Sequence, residues 1–319
     1  VKTKTYPSLA SALLAASTFL SGAHAADYYL QANQSVDYIT LSTWFDQASG
    51  GGNNPATLNG HTFHSNGFTV RGSTNSAFGD AGTTLRVNST FLVRNTDVKV
   101  ANFETYGAGA TLASGQNSAM ALTVTNYVNN VNTTLRSDGS TINRSINLTT
   151  TTLAGAGDFI FSANANGLSY TFNGGDMSGF SGDLVFSGAP ATATTVFISA
   201  TNTAGYSGDV RWDTGANAVV NFNSAFSSTG SLLLSSASRL VLDQSISFGA
   251  LSLDGGATFL SAGTYTYGDL LALNADIFAG STAGSITIAP IPEPSSLALL
   301  AGVAGLLHAG RRRRARNAC

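Results

Sequence analysis

The chain has 319 residues, a formal net charge of −2, 10% charged side chains, 35 glycines and one cysteine. That length allows a sizeable core, but a lone Cys319 excludes an intramolecular disulfide framework. Between residues 26 and 289, eight Lys and Arg stand against sixteen Asp and Glu, a net of −8, so there is no basic footprint and nucleic acid is excluded as a partner.

The chain opens with the pattern of a secretory signal. Lys2 and Lys4 form a basic n-region, Leu9 to Leu20 an apolar h-region, and Ala23-His24-Ala25 a small-residue cleavage site. Residues 1–25 are expected to form a signal helix that is removed after passage through the Sec translocase. The apolar run is too short to span a bilayer.

Residues 26–147 read as a β-rich region. Tyr38-Ile39-Thr40-Leu41, Phe68-Thr69-Val70, Leu85-Arg86-Val87, Phe91-Leu92-Val93, Val98-Lys99-Val100 and Leu122-Thr123-Val124 are strand candidates by alternation. Asp46 to Pro55 is a loop by composition. The region is expected to hold early, degenerate coils and a capping element, since terminal repeats are atypical.

A repeat emerges in residues 148–289. Gly157-Asp158-Phe159-Ile160-Phe161 matches Gly182-Asp183-Leu184-Val185-Phe186 and Gly208-Asp209-Val210-Arg211-Trp212. Weaker copies begin at Gly230, Gly249, Gly268 and Gly284, giving successive spacings of 25, 26, 22, 19, 19 and 16 residues. A second alternation follows the starts, at Leu168 to Phe172, Thr195 to Ile198, Val219 to Phe222, Leu240 to Leu242, Ala257 to Leu260 and Ile277-Phe278. Glycine serves a turn that needs positive φ or close approach, and Asp hydrogen-bonds the local backbone. Such a unit buries its apolar face only by stacking on copies of itself. The expected class is therefore all-β, a parallel β-solenoid (β-helix), with an antiparallel β-sandwich as the alternative. These Gly-Asp units resemble the autotransporter-associated β-strand repeat of secreted adhesins. That resemblance implies a passenger-like rod, although no run of membrane-barrel strands follows here.

Residues 290–319 have a different character. Pro292-Glu293-Pro294 is a rigid breaker, Ser295 a plausible N-cap, and Ser295 to Gly310 an apolar segment of 16 residues ended by Arg311, Arg312, Arg313 and Arg314. The segment reads as a short transmembrane helix suited to transient residence in the inner membrane, with the arginines on the cytoplasmic side. An ordinary C-terminal anchor helix is the other reading. The motif order resembles the PEP-CTERM sorting signal of Gram-negative bacteria. That resemblance implies processing by an exosortase, a membrane-embedded cysteine protease, and a host that makes exopolysaccharide.

Candidate chemistry is sparse. His61 and His64 are three apart in a β context, so their rings should face opposite ways, as two surface histidines and not a metal pair. Asp158, Asp183 and Asp209 recur at one turn; stacked carboxylates call for solvation or a shared cation, and Ca2+ needs only oxygen ligands. No other cofactor is expected. Asp37, Asp46 and Asp80 are scattered, beside no evident partner. Trp44, Tyr106, Tyr206 and Trp212 could stack on sugar rings, with core packing the better reading for Trp212, which aligns with Phe161 and Phe186. The expected function is a non-enzymatic structural or adhesive protein of the cell surface or extracellular matrix, associated with exopolysaccharide. A polysaccharide lyase or glycosidase on a β-helix is the alternative, and a passive matrix filler a third reading.

Overall fold

A computed structural model describes residues 25–95, 97–115, 120–137, 146–163, 166–278 and 283–289. The expected signal segment (apart from Ala25) and the whole sorting segment, with the two helices expected there, lie outside the described residues. Among the described residues no helix is long and apolar enough to cross a membrane.

The chain winds as a parallel β-solenoid of about seven turns. Its strands form sheets of 13, 9 and 4 strands. In the middle coils, a leading strand on the long sheet is followed by a shorter one on the second sheet: Met120–Asn129 then Thr133–Ser137, and Ile146–Gly155 then Phe159–Ser162. Each pairs in parallel with its counterpart one coil on, as in Leu122↔Leu148 and Leu135↔Phe161. The sandwich alternative fails on this pairing, because successive copies run parallel and not as hairpins.

The two ten-residue strands turn a corner without breaking. Along Met120–Asn129 and Ile146–Gly155 the inside-outside alternation is interrupted by two adjacent exposed residues, Thr125-Asn126 and Thr151-Thr152. Strict alternation would put one of each pair inside, so the doublet marks the bend at which the inward face changes phase. In the next coil Gly174-Gly175 splits the same path into Ser169–Asn173 and Asp176–Phe180, and both pieces stack on Ile146–Gly155. Here Gly175 needs its φ of 58°.

The repeat register agrees with the sequence for five copies. Phe159, Leu184, Val210, Leu232 and Leu251 stack in one row. Phe161, Phe186 and Trp212 stack in another, all buried. The glycines two residues before the first row are there for closeness. A Cβ on Gly182 would strike the Gly157 carbonyl oxygen, and one on Gly208 would strike that of Gly182.

The last two copies differ. Gly268-Asp269-Leu270 starts no strand but lies in the helix Tyr267–Leu273, where Thr266 and Asp269 form a reciprocal capping box. Gly284 precedes a strand, Ser285–Ile288, but it pairs with Ser245–Phe248 on the small sheet. Ala257 to Leu260 is likewise irregular, whereas Phe278 bridges to Leu240 as a further coil.

In the first half, coils continue down to Thr62–His64, and the long sheet runs unbroken through Ile146–Gly155, the strand that contains residues 147 and 148. Tyr38 to Leu41 forms a turn leading into a short 3-10 helix, not the expected strand. Tyr38 is buried; its hydroxyl donates to the Ser76 carbonyl at 2.8 Å, and its own carbonyl accepts from Trp44 Nε1 at 2.8 Å. These tertiary bonds hold a turn where alternation suggested extension. The first strand, Asp27–Leu30, pairs with Thr62–His64 in parallel and with Trp44–Phe45 antiparallel, so an extra antiparallel strand covers the sheet edge. At the other end Gly263–Thr266 pairs antiparallel with Ser285–Ile288. Between the caps, rings touch from coil to coil through the interior, for instance Phe91, Phe103, Tyr127 and Phe159 at 5.0–5.5 Å between centroids. Burial of each such side chain is worth roughly 1.5–3 kcal/mol.

Candidate functional site

The repeated aspartates occupy one corner, each directly before a strand of the second sheet. Each carboxylate accepts a backbone N–H from the coil that follows. Asp183 N donates to Asp158 Oδ1 at 2.9 Å, Asp209 N to Asp183 Oδ1 at 2.8 Å, and Ser231 N to Asp209 Oδ1 at 2.6 Å. Asn132 Oδ1 begins the series by accepting from Asp158 N at 3.1 Å. The side chains thus continue the sheet ladder through a turn, where the N–H would otherwise lack a partner.

The positive charge that stacked carboxylates call for comes from the chain itself. Arg211 reaches Asp213 Oδ1 at 2.8 Å, Asp183 Oδ2 at 3.3 Å and Asp158 Oδ2 at 3.9 Å. All are partly exposed, so screening holds each pair to about 1 kcal/mol or less. Beneath them Tyr206 is buried, and its hydroxyl donates to the Gly182 carbonyl at 3.2 Å. Burial, with Asp183, Asp209 and Asp158 nearby, pushes the Tyr206 hydroxyl well above its ordinary range and keeps it a neutral donor. Among the described residues no group of three or more His, Cys, Asp or Glu is set to hold a metal ion.

The outer face of the long sheet is different. Asn102, Asn126, Thr152, Asp176 and Asn202 align in register, one per coil. Asn126 Nδ2 donates to Asn102 Oδ1 at 2.8 Å, Thr152 Oγ1 to Asn126 Oδ1 at 2.9 Å, and Asn202 Nδ2 to Asp176 Oδ1 at 3.0 Å. Hydrogen bonds from the Ser178 backbone and side chain, then from Asn202, lower the Asp176 pKa. Two further outward rows run beside this one: Thr123, Thr149, Asn173, Ser199 and Asn147, Thr171, Phe197, Asn221. From Thr123 and Asn147 onward these rows carry hydroxyls, amides and one aromatic ring, and Lys99, paired with Asp97 at 2.8 Å, stands before Thr123 in the first of them. Sequence reasoning missed them. Their signal was the recurrence of Thr and Asn at the polar positions of the alternation.

The histidines do face opposite ways. His61 Nδ1 accepts from Ala26 N at 3.2 Å and its ring meets Tyr28 edge-on at 5.3 Å. His64 stacks on Tyr29 at 4.7 Å, with Nε2 3.1 Å from Asp27 Oδ1. The expected surface placement is wrong for His64, which is 7% exposed, because Tyr29 from the adjacent strand stacks on its ring and Tyr106 meets it edge-on at 6.1 Å. Nearby, Arg86 makes a bidentate pair with Glu104 at 2.8 and 2.9 Å and lies 4.7 Å over the Tyr106 ring. Of the four aromatics considered for sugar stacking, Trp44, Tyr206 and Trp212 are buried and only Tyr106 is partly exposed.

The scattered aspartates prove to have partners after all. Asp37 accepts from Ser73 N, Asp46 from Asn53 N and Asp80 from Gly60 N at 2.8–3.0 Å, so each pins a loop. A groove of about 660 Å³ opens near the C-terminal coils beside Tyr206, Ser228, Phe248, Gly249 and Ala289. No family model, curated protein or solved structure matches this chain.

Proposed function

We propose that the protein is an exported structural or adhesive rod of the cell surface or extracellular matrix, and that it works in association with exopolysaccharide. The observation that carries this reading is the axial arrangement of its polar side chains. They stand in rows, one residue per coil, and largely bond to one another or to neighbouring coils. A face of that kind offers the same chemistry at successive steps of about 4.8 Å, which suits distributed contact with a long partner. The Gly-Asp corner, tied by carboxylates to the next coil, gives the rod stiffness without disulfides.

The ends of the sequence support delivery to that location. Lys2 to Ala25 has the order of a Sec signal, and Pro292-Glu293-Pro294 through Arg314 has the order of an exosortase substrate that pauses in the inner membrane. The test removes Pro292 to Cys319 and fractionates the cells. The full chain should reach the surface or matrix with residues 1–25 absent by mass spectrometry, and the truncated chain should not. Equal distribution of both, or a full chain kept in the cytosol with residues 1–25 intact, overturns the reading.

A further inference from the structure

The large apolar side chains that stand exposed are unevenly placed. Among the described residues there are five, and three of them, Phe259 at 54%, Leu271 at 38% and Leu273 at 51%, fall in residues 259–273. Those residues belong to one layer that closes the C-terminal end of the rod. Leu260 N donates to the Leu251 carbonyl at 2.9 Å, over the last strand of the second sheet. Gly263–Thr266 is the outermost strand of the small sheet, and the helix Tyr267–Leu273 follows it directly. Phe278 then bridges to Leu240, in the last strand of the long sheet. Exposed apolar residues scattered singly need no account, but three in the layer that ends the rod mark a contact face.

The chain leaves the described residues at that same end. Gly263, close after Phe259 in the chain, pairs with Ile288, and Ala289 N donates to the Phe248 carbonyl at 3.0 Å. The exit therefore lies one strand in from the outermost strand. Between Ala289 and Ser295 stand only Pro290 to Pro294, which reach roughly 20 Å when fully extended. Whenever Ser295 to Gly310 is embedded in a bilayer, the closing layer is held beside the bilayer surface at a high effective concentration. Residues 240–289 contain four Asp and no Lys, Arg or His, so apolar area and not charge must supply any attraction to lipid.

We propose that this closing layer, through Phe259, Leu271 and Leu273, is a docking face for the surface of a zwitterionic lipid bilayer. This rests on the reading above that Ser295 to Gly310 enters the inner membrane, and it adds a second contact made by the folded body. Apolar side chains on a surface-bound element sink about 5–10 Å into the boundary between headgroups and acyl chains. The short linker keeps that boundary within reach of the layer. It also makes strong affinity unnecessary, since a tethered face needs only weak insertion to stay down. End-on contact of this kind leaves the earlier coils, with their polar rows, clear of the lipid.

The test uses the exported chain from Ala26 onward, in a C319S background. An environment-sensitive fluorophore is attached at A272C, exposed beside Leu271 and Leu273, or at A48C, exposed at the opposite end. The chain is mixed with phosphatidylcholine vesicles that carry a doxyl quencher near the headgroups. Ser295 to Gly310 should bring both labelled chains into the floating vesicle fraction. The A272C label should shift to the blue and be quenched, and the A48C label should do neither. Adding F259S, L271S and L273S together should drop the A272C signal to the A48C level while the chain still floats. All three side chains are exposed, so the thermal midpoint should stay near that of the parent. The proposal is overturned if the chain floats with its A272C label unquenched, or if the triple substitution leaves the quenching unchanged. It also falls if the blue shift appears without vesicles and grows with protein concentration, because a second copy then covers the face. A chain that does not float sinks the membrane-entry reading and the docking face together, whereas floating with an unquenched label sinks the docking face alone.

Discussion

Gly182 and Asp183 are adjacent and act on opposite neighbours. Gly182 lets its coil approach the Gly157 carbonyl beneath, and Asp183 accepts the Asp209 N–H from the coil above. Replacing Gly182 by Ala should force the coils apart at that corner and cost about 1–3 kcal/mol, the usual toll of overpacking, read as a lowered denaturant midpoint. Arg211 matters in another way. R211A leaves Asp158, Asp183 and Asp213 without their guanidinium, so like charges face one another across coils. The loss should be about 1 kcal/mol at low salt and should shrink as added salt screens the carboxylates. A variant whose deficit grows with salt would contradict that account.

At the level of elements, the C-terminal cap depends on carboxylates. Asp269 caps the helix Tyr267–Leu273 through Thr266, and D269A should cost about 0.5–2 kcal/mol, detectable as faster amide exchange in that helix. Asp254 holds the neighbouring loop: Thr258 Oγ1 and N and Ser252 Oγ donate to it, and these bonds lower its pKa to about 2. An unfolded Asp titrates near ~3.9, so the folded loop is favoured above that pH. The advantage fades as pH falls and is gone once the group protonates below about 2. Protection at Thr258 and Gly256, taken relative to intrinsic exchange at each pH, should therefore fall between pH 4 and 2 in wild type, and D254N should show a flat response over that interval.

Across the whole molecule, each coil contacts mainly the coils before and after it, so stability is close to a chain of nearest-neighbour terms. The chain has two tryptophans, and they sit far apart along the stack: Trp44 under the N-terminal cap and Trp212 in the Phe161-Phe186-Trp212 row. Urea unfolding followed by fluorescence in W44F and in W212F should give separate midpoints, because one end can melt while the other holds. Coincident transitions would mean that the caps lock the stack into one cooperative unit.

How much of this was legible before the fold was known varies by position. Five Gly-Asp or Gly-Ser/Ala starts align in sequence as they do in space, because each must meet the same steric and hydrogen-bonding demand at one corner. Gly268-Asp269-Leu270 satisfies the same local pattern yet becomes a helix start, since Thr266 supplies a reciprocal cap that a short motif does not reveal. The short strand Phe226–Ser227 was illegible because two residues carry no period. The outward rows were hidden for a different reason. Thr and Asn read as ordinary polar positions, and Phe197 as one more strand residue, until their partners, 24 to 26 residues away, stand beside them.

Local chemistry along the chain thus determined strand character, the Gly-Asp corner and the contrast between an acidic body and basic ends. Those depend on side-chain period and residue type, which are written in order. Pairing partners, the bends at Thr125-Asn126 and Thr151-Thr152, the burial of His64 and the surface neighbours of Phe197 were decided only in three dimensions. Parallel strands meet across whole coils, and which coil lies against which is settled by the packing of all of them together.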